Sequence, residues 1–151
     1  MLLQVLVSAL VSAINIGMHA LATVGAVSIA RTASLKLVTK GPRLHLMGVM
    51  VATAAALSVA HTLEVLVWVC TYWFVQAAPA GSDLLYFVFV NYTTLGYGDI
   101  TPVPEWRLIG PLTAMNGILL SGWSAAILFE VLRKTIENRE ANERLRGGNN
   151  A

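Results

Sequence analysis

The run Thr93-Thr94-Leu95-Gly96-Tyr97-Gly98-Asp99 is the stretch of this 151-residue chain whose residue types and spacing suit chemistry. Two glycines flank a single residue. Glycine enters left-handed backbone conformations at little steric cost. Alternating glycine with larger residues lets successive carbonyls point the same way, toward a common axis. A ring of such carbonyls can replace the hydration shell of a monovalent cation. The Thr94 hydroxyl would add a further oxygen ring at the inner end. A phosphate-cradling loop is excluded, because no Lys-Ser or Lys-Thr pair follows the glycines. An ordinary glycine-rich turn is the plainer reading, and it leaves the membrane setting of the motif unexplained.

Other polar residues stand in apolar runs. His61 and Glu64 are three apart, so one helical face carries both. A zinc-hydrolase helix needs two histidines four apart, and Ala60-His61-Thr62-Leu63-Glu64 does not supply them. An ionisable group in lipid is costly and normally faces a bundle interior. A polar contact between His61 and Glu64, or from them to Asn15 and His19, is the expected use. Asn15 and His19 are four apart in the first apolar run, and such bonds would dock that run onto the rest. Asn116 either lines a cavity or bonds a neighbouring helix. The single cysteine, Cys70, excludes an intrachain disulfide and reads as a small packing residue.

The elements that position these residues follow from hydropathy. Charged residues make up 12% of the chain, where soluble domains carry about 25%. The deficit points to lipid as the main solvent. Residues 2–30 contain no charge, and as a helix they exceed the ~30 Å apolar core of a bilayer. A signal peptide would have a shorter apolar core with positive charge before it. A second apolar stretch, 44–78, is interrupted by His45, His61 and Glu64 and ends at Ala78-Pro79-Ala80-Gly81. Residues 82–92 are too short to span and read as a re-entrant helix, with Ser82 as N-cap and Asp83 favourable at the helix-dipole end. The third span starts near Glu105 and is uncharged over 108–129. A polar tail follows, in which Glu130/Lys134 and Glu140/Arg144 are four apart, so the third helix is expected to continue into water. The divisions are an N-terminal span (1–30), a basic loop (31–43) broken at Gly41-Pro42, a segment of two spans with the short helix and glycine-rich run between them (44–133) and a tail (134–151).

Basic residues set the orientation. Arg31, Lys36, Lys40 and Arg43 lie in the first loop, and Arg133, Lys134, Arg139, Arg144 and Arg146 lie at the C-terminal end. The positive-inside rule puts both segments in the cytoplasm. Three spans then leave the N-terminus outside and the C-terminus inside. The outer segment carries Asp83, Asp99, Glu105 and Arg107, a mildly acidic set that attracts cations. A net charge of +2 gives no reason to expect a nucleic-acid partner. No arrangement of residues resembles an enzyme active site, so no enzyme substrate and no cofactor are expected.

With these residues in view, the chain resembles the potassium channel family over about 44–133. The stretch from Thr93 to Asp99 matches the signature T-T-x-G-Y-G-D, and Pro102, Trp106 and Arg107 resemble the outer-mouth segment. Leu95 stands where valine or isoleucine is commoner, which changes the packing behind the filter. Tyr97, rather than Asp, lies between the glycines, which in this family favours potassium over nonselective relatives. The resemblance implies an all-α membrane protein in the cell membrane: three transmembrane helices, a re-entrant pore helix and a selectivity-filter loop. One chain supplies one filter, so three identical partner subunits would complete a homotetramer. Its activity would be passive flux of K+, the permeant ion, through a filter of Thr94, Leu95, Gly96, Tyr97 and Gly98. The K+ sites would lie at Thr94, Leu95, Gly96 and Tyr97. Thr93, Asp99, Tyr86, Phe87 and Trp106 would support the filter, and Phe89 and Tyr92 would share the aromatic packing around it. Gly117 is expected as a gating hinge, with Ile118, Ser121 and Ala125 facing the cavity. Gly117 and Gly122 also suit close helix packing. A weakly selective cation channel and a non-conducting membrane scaffold are the other readings.

Overall fold

The structure is a computed structural model that describes residues 1–36 and 42–148. Among the described residues the regular secondary structure is all helical, with no strand. Helix α1 spans Leu2–Lys36, α2 Pro42–Val75, α3 Leu84–Tyr92 and α4 Ile109–Gly148, with a 3-10 turn at Pro104–Trp106 before α4. Three stretches are long and apolar enough to cross a membrane: Leu2–Ser28, Leu44–Val75 and Pro104–Asn138. The all-α, three-span expectation is met.

The boundaries shift in instructive ways. α1 runs on to Lys36, into the expected basic loop, because residues 31–36 contain no glycine or proline to stop it. Residues 37–41 of that loop, and the side chains of its basic residues, lie outside the described residues. Pro42 opens α2, where its missing N–H costs nothing. The third membrane-length stretch opens at Pro104, as expected near Glu105, with a 3-10 turn at Pro104–Trp106 ahead of the α-helix. The N-cap of α3 is Asp83, not Ser82: its carboxylate accepts from the Tyr86 N–H at 3.1 Å. Such a cap stabilises a short helix by about 1 kcal/mol.

The helices hide their hydroxyls from lipid. Thr53, Thr62, Thr71, Thr113 and Thr135 each donate to the carbonyl four residues back. The chain divides into two compact units, one of Met1–Leu21 with Ser58–Trp123 and one of Ala22–Leu57 with Ser124–Ala151. In the first, Val65, Trp68, Tyr72, Phe87, Val88, Tyr92 and Ile109 form the core, with Tyr72 edge-on to both Trp68 and Phe87. In the second, Ala30, Val49 and Val131 pack with Met50 and Ile127. Lipid tails are as apolar as these side chains, so burial alone does not hold such helices together. Close packing and interhelical hydrogen bonds do, at about 0.6–2 kcal/mol per bond. Cys70, read as a small packing residue, is exposed in the single chain.

Candidate functional site

The site is assembled where α3 stops. The Leu95 N–H donates to the Val90 carbonyl and the Thr94 N–H to the Asn91 carbonyl, both at 3.0 Å. That nested pair is a Schellman ending, which requires a left-handed residue just past the helix. Thr94 takes that place with φ +60°, an uncommon conformation for a residue with a side chain. Gly96 and Gly98 then repeat it, at φ +63° and +76°. Leu95 and Tyr97 between them keep negative φ. Such alternating handedness is the backbone pattern that can turn successive carbonyls to one side.

Those carbonyls have no competing partner. Among the described residues, no backbone hydrogen bond outside the helices ends on a carbonyl of residues 94–98. All five residues are exposed in the single chain. The stretch is therefore a strip of unpaired oxygens, suited to contact with a cation and unsuited to contact with lipid. The strip is tied down at both ends. The Thr93 hydroxyl donates to the Phe89 carbonyl at 2.7 Å, and Tyr86 donates its phenol O–H to Asp99 Oδ2 at 2.8 Å. Phe87 is buried against Tyr72, and Trp106 packs on the same core. The returning chain is held where the Val103 N–H donates to the Ala77 carbonyl at 2.9 Å. Tyr97 is exposed in the single chain.

Gly117 has a packing reason visible in the geometry. A Cβ placed there would overlap the Tyr92 carbonyl oxygen and lie 3.2 Å from the Tyr92 ring. Its missing side chain lets α4 pass directly against the end of α3. Gly122, by contrast, has nothing within 4 Å of such a Cβ. Ile118, Ser121 and Ala125 are exposed along α4. Asn116 is buried, and its Oδ1 accepts from Asn15 Nδ2 at 3.1 Å and from Trp68 Nε1 at 3.0 Å, so it bonds neighbouring helices.

The polar residues of α1 and α2 do meet. Asn15 Nδ2 donates to the Glu64 carbonyl at 3.3 Å, and His19 Nδ1 lies 2.8 Å from Glu64 Oε1. His61 Nδ1 lies 3.0 Å from Glu64 Oε2, and the Tyr92 phenol donates to that same oxygen. Glu64 thus connects α1, α2 and the last residue of α3. Two partners were invisible in the sequence. Gln4 bridges the start of α4, donating from Nε2 to the Glu105 carbonyl and accepting at Oε1 from the Leu108 N–H. Tyr72 meets Thr113 at 3.1 Å, an α2–α4 bond. Neither contact has a sequence signal, because each joins residues far apart with no motif spacing. Glu130 pairs with Lys134 at 3.0 Å and with Arg133 at 2.9 Å. The side chain of Arg144, expected to pair with Glu140, lies outside the described residues.

Three membrane-length helices, with a short helix leading into an exposed carbonyl strip, describe a multi-pass membrane protein. A family model described as "Ion channel" matches residues 59–134, half of the chain, and the chain belongs to that family, a two-helix ion channel domain of the potassium channel type. The match runs from within α2 through α3 and the carbonyl strip into α4, and leaves α1 outside it. No curated protein and no solved structure matches the chain.

Proposed function

We propose that the chain is one subunit of a potassium-selective channel. Four copies would surround one axis, with the carbonyls of Thr94, Leu95, Gly96 and Tyr97 and the Thr94 hydroxyl as successive oxygen rings. The observation that carries this reading is the alternation of left-handed φ at Thr94, Gly96 and Gly98 with the carbonyls left unpaired. A potassium ion entering from the acidic outer mouth would exchange its water for these oxygens ring by ring. Repulsion between neighbouring ions keeps each site weak enough to leave, so flux runs down the electrochemical gradient. The hydrogen bond from Tyr86 holds the Asp99 carboxylate at the outer end. The distribution of basic residues supports an outer N-terminus and a cytoplasmic C-terminus. Gly117 is the hinge candidate, and Ile118, Ser121 and Ala125 are the cavity candidates.

Barium tests the path. It is close to potassium in size and carries twice the charge, so carbonyl rings that strip water from potassium hold barium longer. Barium is expected to block flux, and raised potassium to relieve the block. Thr94→Cys is expected to weaken the block, since sulfur is a poorer ligand for a hard cation. Potassium flux indifferent to barium would move the ion path away from residues 94–98.

A further inference from the structure

A second ligand set lies off the carbonyl strip. His19 comes from α1, and His61 and Glu64 come from neighbouring turns of α2. His19 Nδ1 faces one carboxylate oxygen at 2.8 Å and His61 Nδ1 faces the other at 3.0 Å. The three donor atoms lie within 4.8 Å of one another. The side chains of His19 and Glu64 are fully buried, while that of His61 is 23% exposed.

We propose that His19, His61 and Glu64 form a binding site for one divalent transition-metal ion of the zinc type. The donor set is two imidazole nitrogens and one carboxylate oxygen, a combination that binds zinc while leaving a fourth position open. Imidazole does not suit potassium, magnesium or calcium, which take oxygen ligands, so this site is chemically separate from the carbonyl strip. The three donors lie near enough to converge on one ion, their atoms all within 4.8 Å of one another. Zinc holds its ligands at about 2.0–2.1 Å, which puts tetrahedral neighbours about 3.3 Å apart. The observed separations of 2.8 and 3.0 Å run to the two different carboxylate oxygens, so the imidazoles shift toward a common point when a metal replaces the shared protons. The partly exposed His61 ring provides the way in, and the buried pair behind it provides the floor. The Tyr92 phenol donates to Glu64 Oε2, the kind of outer contact that fixes a ligand's orientation. Charge also favours occupancy. A buried carboxylate at membrane depth needs a positive partner, and a divalent ion supplies one without protonating either imidazole.

The full chain, purified in detergent without a histidine tag, can be titrated with Co2+ and followed by visible d–d absorption. The expected result is one Co2+ per chain with the intense bands of a tetrahedral site, displaced by Zn2+. Affinity should fall at least tenfold in His61→Gln and in Glu64→Gln, and stay unchanged in His45→Gln, the third histidine. His61→Gln carries the test if loss of the buried Glu64 carboxylate disturbs folding, with helix content checked by circular dichroism. Absence of bands at saturating Co2+ would overturn the proposal. So would bands that survive His61→Gln or disappear in His45→Gln. The readout does not involve ion flux, so failure here leaves the potassium reading untouched.

Discussion

Two helix ends in this protein use the same device for different purposes. α2 ends with Gln76 at φ +55°, its N–H donating to the Trp73 carbonyl and the Ala77 N–H to the Tyr72 carbonyl. α3 ends with Thr94 at φ +60° and the matching nested pair of bonds. Both place a residue with a side chain where glycine is usual, at a cost of roughly 1–2 kcal/mol each. After Gln76 the next carbonyl, that of Ala77, is taken by the Val103 N–H. After Thr94 the left-handed turn recurs at every second residue, and no backbone partner is supplied. A helix stop is therefore not a cation site. In the proposed function, repetition of the left-handed turn, with carbonyls left free, is what would convert a cap into a row of ligands.

The largest effect is expected where the repetition is interrupted. Gly98→Ala or Gly96→Ala puts a methyl group on a left-handed residue, against the conformation by roughly 1–2 kcal/mol per chain. Selective potassium flux should fall to background while membrane insertion is unchanged, as read by liposome flux and by protease protection. An unchanged potassium preference would remove residues 96–98 from the ion path.

A matched pair sharpens the comparison. Gln76→Gly and Thr94→Gly relieve the same backbone strain, and each should raise the thermal midpoint by the equivalent of about 1 kcal/mol. Only Thr94→Gly would remove an oxygen ring of the proposed filter. Its potassium-over-sodium preference should drop by about tenfold, a loss of about 1.4 kcal/mol, while Gln76→Gly conducts as the parent does. Equal effects on selectivity would mean that the two helix ends do not differ in function. The smallest effect is expected at Tyr86→Phe, which deletes the O–H donor to Asp99 and leaves the ring. A change in selectivity on the order of twofold is expected, since the lost bond is exposed and water can replace it.

Much of this was legible in the residues. The seven-residue run from Thr93 to Asp99 carries its own backbone instructions, because glycine spacing translates directly into φ. The three spans were legible for the same local reason: hydropathy over some twenty residues needs no knowledge of neighbours. Asn15 and His19 as partners of Glu64 followed from polar groups seeking partners in an apolar setting, whereas Tyr86 as the donor to Asp99 was visible only in the structure. What failed was either boundary detail or distant pairing. Ser82 and Asp83 are both good caps, and only backbone geometry chooses between them. Gln4 and Thr113 look ordinary in sequence, and their roles depend on which helices pass beside them. Gly117 was ambiguous between hinge and packing, and the nearness of the Tyr92 carbonyl supplies the packing reason.

The central claim is that the carbonyl strip of residues 94–98 selects potassium. Its most direct test is flux from liposomes reconstituted with the full chain, with potassium or sodium as the only permeant ion. Rapid flux with potassium and background flux with sodium is the predicted result. Comparable flux with the two ions, or none with potassium from correctly inserted protein, would contradict it.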